Sequence, residues 1–168
     1  KARNFGIKQA GGEIIFFTDD DCIVPEIWLE GLVDGFERYP DVAGVGGWWV
    51  PPPEMLRDNY ILGYLYHIFF ERGLFSKKVL LGSEILTNEP LYVFGTFASN
   101  TANLAFKKNI LDKFGGFKEE FRWPASEDTD LSFRIISAGH KILYLPINVI
   151  HVKNLNLSGF LKLYFKRG

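Results

Sequence analysis

Three consecutive aspartates, Asp19-Asp20-Asp21, close a β-branched and aromatic run, Glu13-Ile14-Ile15-Phe16-Phe17-Thr18. Like charges this close repel strongly unless something positive sits among them. A divalent cation such as Mn²⁺ or Mg²⁺ answers that need, because it prefers hard oxygen ligands and leaves positions open for substrate phosphates. A solvated turn that caps the next helix would also accommodate the acids. An aspartate-nucleophile phosphatase loop also follows a hydrophobic strand, but it continues with small residues where this chain has Cys22-Ile23.

A second acidic group, Glu127-Asp128-Thr129-Asp130, precedes Leu131, Ile135 and Ala138 at helical spacing. Acids in a first helical turn, with Ser126 as cap, are favourable on electrostatic grounds alone. A carboxylate there can also face a cleft and act as general base toward a hydroxyl. Trp123, just upstream, offers either a core indole or a platform for the apolar face of a sugar. His151 ends an apolar run and reads either as a metal ligand or as a satisfied histidine near the core.

The elements that must hold these groups follow from apolar spacing. A short helix over Ala2–Ala10 stops at Gly11-Gly12, and Glu13–Thr18 reads as a strand buried on both faces of a parallel sheet. Trp28, Leu29, Leu32, Val33, Phe36 and Tyr39 define an amphipathic helix entered through Pro25. Val42–Val50 reads as a strand ended by Pro51-Pro52-Pro53, because proline cannot donate to a sheet ladder. Residues 54–75 favour aromatic-rich helices and 82–90 a loop, so 51–94 is expected to be an insertion in a single domain spanning 1–168. Asn103–Phe106 predicts a strand, Lys108–Phe114 a helix closed by Gly115-Gly116, and Glu127–Ala138 a helix stopped by Gly139. Strands over Ile142–Leu145 and Val149–Val152 complete an α/β pattern with a parallel or mixed sheet.

Composition narrows the remaining classes. With 47% hydrophobic residues in 168, disorder is excluded, and a net charge of −1 with scattered Lys and Arg gives no footprint for nucleic acid. The one cysteine, Cys22, forms no internal disulfide and fits a reducing compartment. Lys1-Ala2-Arg3-Asn4 contains neither an initiator methionine nor a secretory pattern, so the chain reads as starting mid-protein. The apolar stretch Tyr60–Phe70 is broken by Glu71 and Arg72, well short of the roughly 20 residues of a membrane span. The aromatic and basic run Phe160–Arg167 suits either an interfacial helix at an anionic membrane or a helix packed on the domain.

In order and spacing, Ala2-Arg3-Asn4-Phe5-Gly6, Gly12–Asp21, Pro25, Gly115-Gly116-Phe117, Glu127–Leu131 with Arg134, Gly139 and His151 resemble family 2 glycosyltransferases. The resemblance implies a GT-A-like fold: a mixed, mostly parallel sheet flanked by helices, here a partial domain whose opening nucleotide-binding strands would precede Lys1. It implies metal-dependent, inverting transfer from a nucleotide-sugar to a saccharide or lipid-linked acceptor, in the cytoplasm and at the inner face of a membrane. Asp128 is implied as catalytic base with Glu127 beside it. Arg3, Asp19 and Asp20 are implied to face the donor, and Asp21 with Asp19 and His151 to face the metal. Trp123 and Asn103 are expected at the acceptor. A non-catalytic glycan- or protein-binding module, or a nucleotidyltransferase, would share the sheet.

Overall fold

The computed structural model describes residues 1–50, 52–54, 85–87, 100–121 and 127–152. The expected aromatic insertion, Ser126, Trp123 and the Phe160–Arg167 run lie wholly or almost wholly outside the described residues.

Helix α1 (Ala2–Gln9) leads into strand β1 (Ile14–Phe17), a tight turn and the short β2 (Cys22–Ile23). Helix α2 (Trp28–Arg38), strands β3 (Val42–Gly46) and β4 (Trp49–Val50), and β5 (Ile85–Thr87) follow. A 3₁₀ turn over Thr101–Asn103 opens β6 (Leu104–Lys107), then come α3 (Lys108–Phe114), α4 (Glu127–Ser137), β7 (Lys141–Tyr144) and β8 (Val149–His151).

Among the described residues the larger sheet runs β1-β6-β3-β7-β5 and the smaller β2-β8-β4. The sheet is mixed, as expected, and among the described residues β3–β7 and β4–β8 are the pairs that run parallel. Strand β6 enters antiparallel between β1 and β3. It leaves β1 at an edge of the described sheet, so Ile14–Phe16 are half-buried rather than covered on both faces.

Side chains alternate across the sheet with the period of two that a pleated strand imposes. Ile142 and Tyr144 of β7, with Leu104 and Phe106 of β6, pack against Ile7, Leu111, Leu131 and Ile135 from α1, α3 and α4. Leu143 and Ala105 turn the other way, toward Trp28, Leu32 and Phe36 of α2. The result is helices on both faces of one sheet.

The expected strand over Val42–Val50 is split in two at Gly47-Trp48, where the chain passes from the large sheet to the small one. The crossing is tight: a Cβ on Gly47 would lie 2.1 Å from the carbonyl oxygen of Ile147. Asn103 ends the 3₁₀ turn rather than opening β6, and its side chain fastens this junction. Its amide nitrogen donates to the carbonyls of Trp48 (2.9 Å) and Ile147 (2.7 Å), and its oxygen accepts from the Trp28 indole (2.9 Å).

Candidate active site

Beyond β1 the chain turns so that the Cys22 amide donates to the Asp19 carbonyl, and Asp21 is carried to the end of β8. The Asp21 carbonyl accepts from the amide of Val152, 2.7 Å away, and β2 pairs with β8 so that Cys22 stands opposite His151. This clamp brings His151 Nε2 within 2.8 Å of Asp21 Oδ1. The His151 ring is buried, with the Trp49 ring packed edge-on at 5.2 Å. Among the described residues, ligand atoms of Asp21, Cys22 and His151 all lie within 4.8 Å of one another, and no other group of three acids, cysteines or histidines is so placed. Burial, with added repulsion from the Asp19 and Asp21 carboxylates, pushes the Cys22 thiol above its ordinary pKa.

The donor set suits a divalent cation: one carboxylate, one imidazole and one sulfur converge, and His151 Nδ1 is buried with no partner among the described residues. Asp20 projects to solvent, and Asp19 faces elsewhere, with Oδ1 3.4 Å from Arg3 Nη2.

The second acidic group occupies the first turn of α4, where the helix dipole favours negative charge. Asp128 is held by two backbone amides, Thr129 at 2.8 Å on Oδ1 and Thr101 at 3.3 Å on Oδ2. Burial raises its pKa above the ordinary carboxylate range, and the adjacent Glu127 raises it further, while Arg3 opposes the shift. Burial, with the Asp128 charge adding to it, pushes the Tyr144 hydroxyl far above its usual range. Glu127 Oε1 accepts from Arg3 Nη1, whereas Oε2 is buried without a partner among the described residues.

Arg3 therefore spans the two acidic groups, reaching Asp19 through one nitrogen and Glu127 through another. A clasp between the Asn4 side chain and the Phe117 backbone sets that reach. Asn4 donates to the Phe117 carbonyl at 2.7 Å and accepts from the Phe117 amide at 2.9 Å, pinning α1 to the segment after α3. Gly116 makes this possible with a φ of +66°, and a Cβ there would sit 2.7 Å from Asn4 Oδ1. Arg134 of α4 donates to the carbonyls of Phe114 and Gly116, so α1 and α4 are both tied to one short loop. Phe117 also lies under the Arg3 guanidinium, 5.6 Å from ring centre to Cζ. Asn4, Gly116, Phe117 and Arg134 are thus a frame that presents Arg3 to Glu127.

Comparison with known proteins resolves the kinship of this arrangement. Residues 1–94 match the model of "Glycosyl transferase family 2". The chain belongs to that family. Residues 64–167 also match the model of "Glycosyltransferase like family 2". The chain is 38% identical over 118 residues to glucosyl-dolichyl phosphate glucuronosyltransferase of Haloferax volcanii, a match covering 69% of this chain and 33% of that protein. It is 26% identical over 145 residues to the O-antigen biosynthesis protein RfbC of Myxococcus xanthus, covering 83% of this chain and 11% of that protein. It is 29% identical over 150 residues to the pre-mycofactocin glycosyltransferase of Mycobacterium tuberculosis, covering 89% and 28% respectively. The chain thus spans a third or less of the length of these relatives.

For this family 2 chain, the structure brings Asp21 to His151, and Arg3 to both Asp19 and Glu127, with Asp128 next to Glu127. It separates Asp19 and Asp20 from the His151 group. Asn103, expected at the acceptor, is only 1% exposed, and its side-chain amide is committed to Trp28, Trp48 and Ile147. Two neighbours of these groups were missed in the sequence. Cys22 registered only as a thiol without a disulfide partner, and Thr101 contributes a backbone amide that any residue type would supply. Among the described residues no helix is long and apolar enough to cross a membrane.

Proposed function

We propose that this chain forms the metal-binding and acceptor-side part of an inverting glycosyltransferase that moves a sugar from a nucleoside-diphosphate sugar to an acceptor hydroxyl. The observation that carries the proposal is the Asp128 carboxylate, half-buried at the start of α4 and held by two amides, beside a glutamate that Arg3 links to the aspartate turn. Burial keeps its basicity above that of an ordinary aspartate, which suits a general base.

In the proposed reaction Asp128 takes the proton of the acceptor hydroxyl. The hydroxyl oxygen then bonds to the anomeric carbon as the bond from that carbon to the diphosphate oxygen breaks, and the diphosphate leaves with the electron pair. Attack on the face opposite the leaving group inverts the configuration. Glu127, fixed by Arg3, positions the base and faces the acceptor. Arg3 has a side chain 36% exposed and serves as the cation nearest the donor, with Asp19 and Asp20 toward the nucleotide-sugar. Asp21 and His151 would hold Mn²⁺ or Mg²⁺, which when bound offsets negative charge on the departing diphosphate. Trp123 is the apolar platform proposed for the acceptor.

Relatives named for O-antigen biosynthesis and for a glucosyl-dolichyl phosphate support a saccharide or lipid-linked acceptor and a role in cell-surface polysaccharide or glycolipid synthesis. The same reading assigns the working site to the cytoplasmic face of a membrane, met peripherally through the Phe160–Arg167 run.

Incubating the full-length protein with Mn²⁺, candidate acceptors and a panel of nucleotide-sugars tests the proposal by the product released. Nucleoside diphosphate, formed in step with a glycosylated acceptor, is the expected result. Pyrophosphate would indicate nucleotidyl transfer, and no released nucleotide from any donor would indicate a binding module; either outcome refutes the proposal.

A further inference from the structure

Cys22 and His151 are direct partners in the antiparallel β2–β8 ladder. Side chains in register across such a ladder share one face, with Cβ atoms about 4.5–5.5 Å apart. The sulfur, an imidazole nitrogen and a carboxylate oxygen of Asp21 accordingly fall within 4.8 Å of one another. His151 is only 7% exposed, and its ring faces two ways: Nε2 meets Asp21, while Nδ1 is buried without a partner among the described residues. A buried imidazole nitrogen left open costs free energy until something electropositive meets it.

We propose that Cys22 is a protein ligand of the cation alongside Asp21 and His151, and that the resulting oxygen, nitrogen and sulfur set favours Co²⁺ and Zn²⁺ over Mg²⁺. The inference rests on the cation reading of Asp21 and His151 given above and adds a ligand and a selectivity to it. Mg²⁺ holds its water and prefers oxygen ligands, whereas sulfur and imidazole suit the later first-row metals. On coordination the S–H bond of Cys22 breaks, sulfur keeps the electron pair as the metal–sulfur bond forms, and the proton passes to solvent.

The test uses metal-free full-length protein titrated with Co²⁺, reading cobalt content and the near-ultraviolet spectrum. One Co²⁺ per chain with a sulfur-to-cobalt charge-transfer band is expected. Cys22→Ser should lose the band and bind Zn²⁺ at least about tenfold more weakly, since even loss of an outer-shell partner costs that much. Its Mg²⁺ binding should persist. Co²⁺ bound through Asp21 and His151, as shown by its loss in Asp21→Ala and His151→Ala, but without a sulfur band in the unmodified protein, overturns the Cys22 assignment and leaves the cation reading standing. No stoichiometric Co²⁺, or Co²⁺ binding that survives Asp21→Ala, overturns both. Because the unmodified protein's spectrum decides the sulfur question, the test holds even where Cys22→Ser fails to fold.

Discussion

Replacing Asp128 with asparagine separates the chemistry of the carboxylate from its cost to the fold. Proton removal by a positioned base contributes roughly 10²–10⁴ in rate, or about 2.7–5.5 kcal/mol, so kcat/KM should fall by that factor while donor binding stays unchanged. Stability should move in a pH-dependent way. Asp128 accepts from two amides, and asparagine has one oxygen, so one donor, the longer-held Thr101 amide at 3.3 Å, loses its acceptor at a cost of about 1 kcal/mol. Against this, the wild-type carboxyl has its folded pKa raised by burial and by Glu127. Between the unfolded aspartate pKa of about 3.9 and that raised value, the native state binds more protons than the unfolded state, so wild-type stability falls as pH rises. Asparagine carries no such penalty. Urea unfolding should therefore find Asp128→Asn less stable than wild type near pH 3.5, with the gap shrinking or reversing by pH 7.5. In the same terms, wild-type kcat/KM should lose activity on acidification above the pH expected for an ordinary carboxylate. Turnover within about tenfold of wild type would refute the role of base, and a stability difference independent of pH would refute the burial argument.

Two further substitutions test the scaffold and the bridge. Asn103→Ala removes three buried hydrogen bonds and leaves the Trp28 indole and the Ile147 carbonyl unsatisfied, while the Trp48 carbonyl keeps the Val149 amide. A loss of at least about 3 kcal/mol in urea unfolding is expected, and a loss under about 1 kcal/mol would show that water replaces the amide without penalty. Arg3→Met leaves Glu127, whose side chain is 15% exposed, without its donor and takes away the positive charge that opposes the Asp128 shift. It should cost about 1–3 kcal/mol, and the acid limb of kcat/KM should move to higher pH, with Arg3→Lys in between; an unmoved limb would show that Arg3 does not act on Asp128.

Much of the site was legible before folding because its residues are contiguous. Asp19-Asp20-Asp21 after an apolar run, and Glu127-Asp128 ahead of a helical period, each carry their chemistry locally, and the helix limits at Gly115 and Gly139 follow from positive φ. The α/β class follows likewise from alternating periods of 2 and 3.6. Pairings across the chain were not legible. Which aspartate meets His151 depends on the β2–β8 register, which sets Cys22 opposite His151 from 129 positions away, a choice made by sheet geometry rather than by either residue. The fate of Asn103 depended on Gly47 letting two backbones meet, and only that approach turned a candidate acceptor contact into a buried clamp. The sequence by itself determined which groups could do acid–base and metal chemistry, because side-chain type dictates that. Only the tertiary structure decided that Arg3 joins Asp19 to Glu127 and that Asp21 meets His151, because contacts between distant segments depend on how sheets and helices pack.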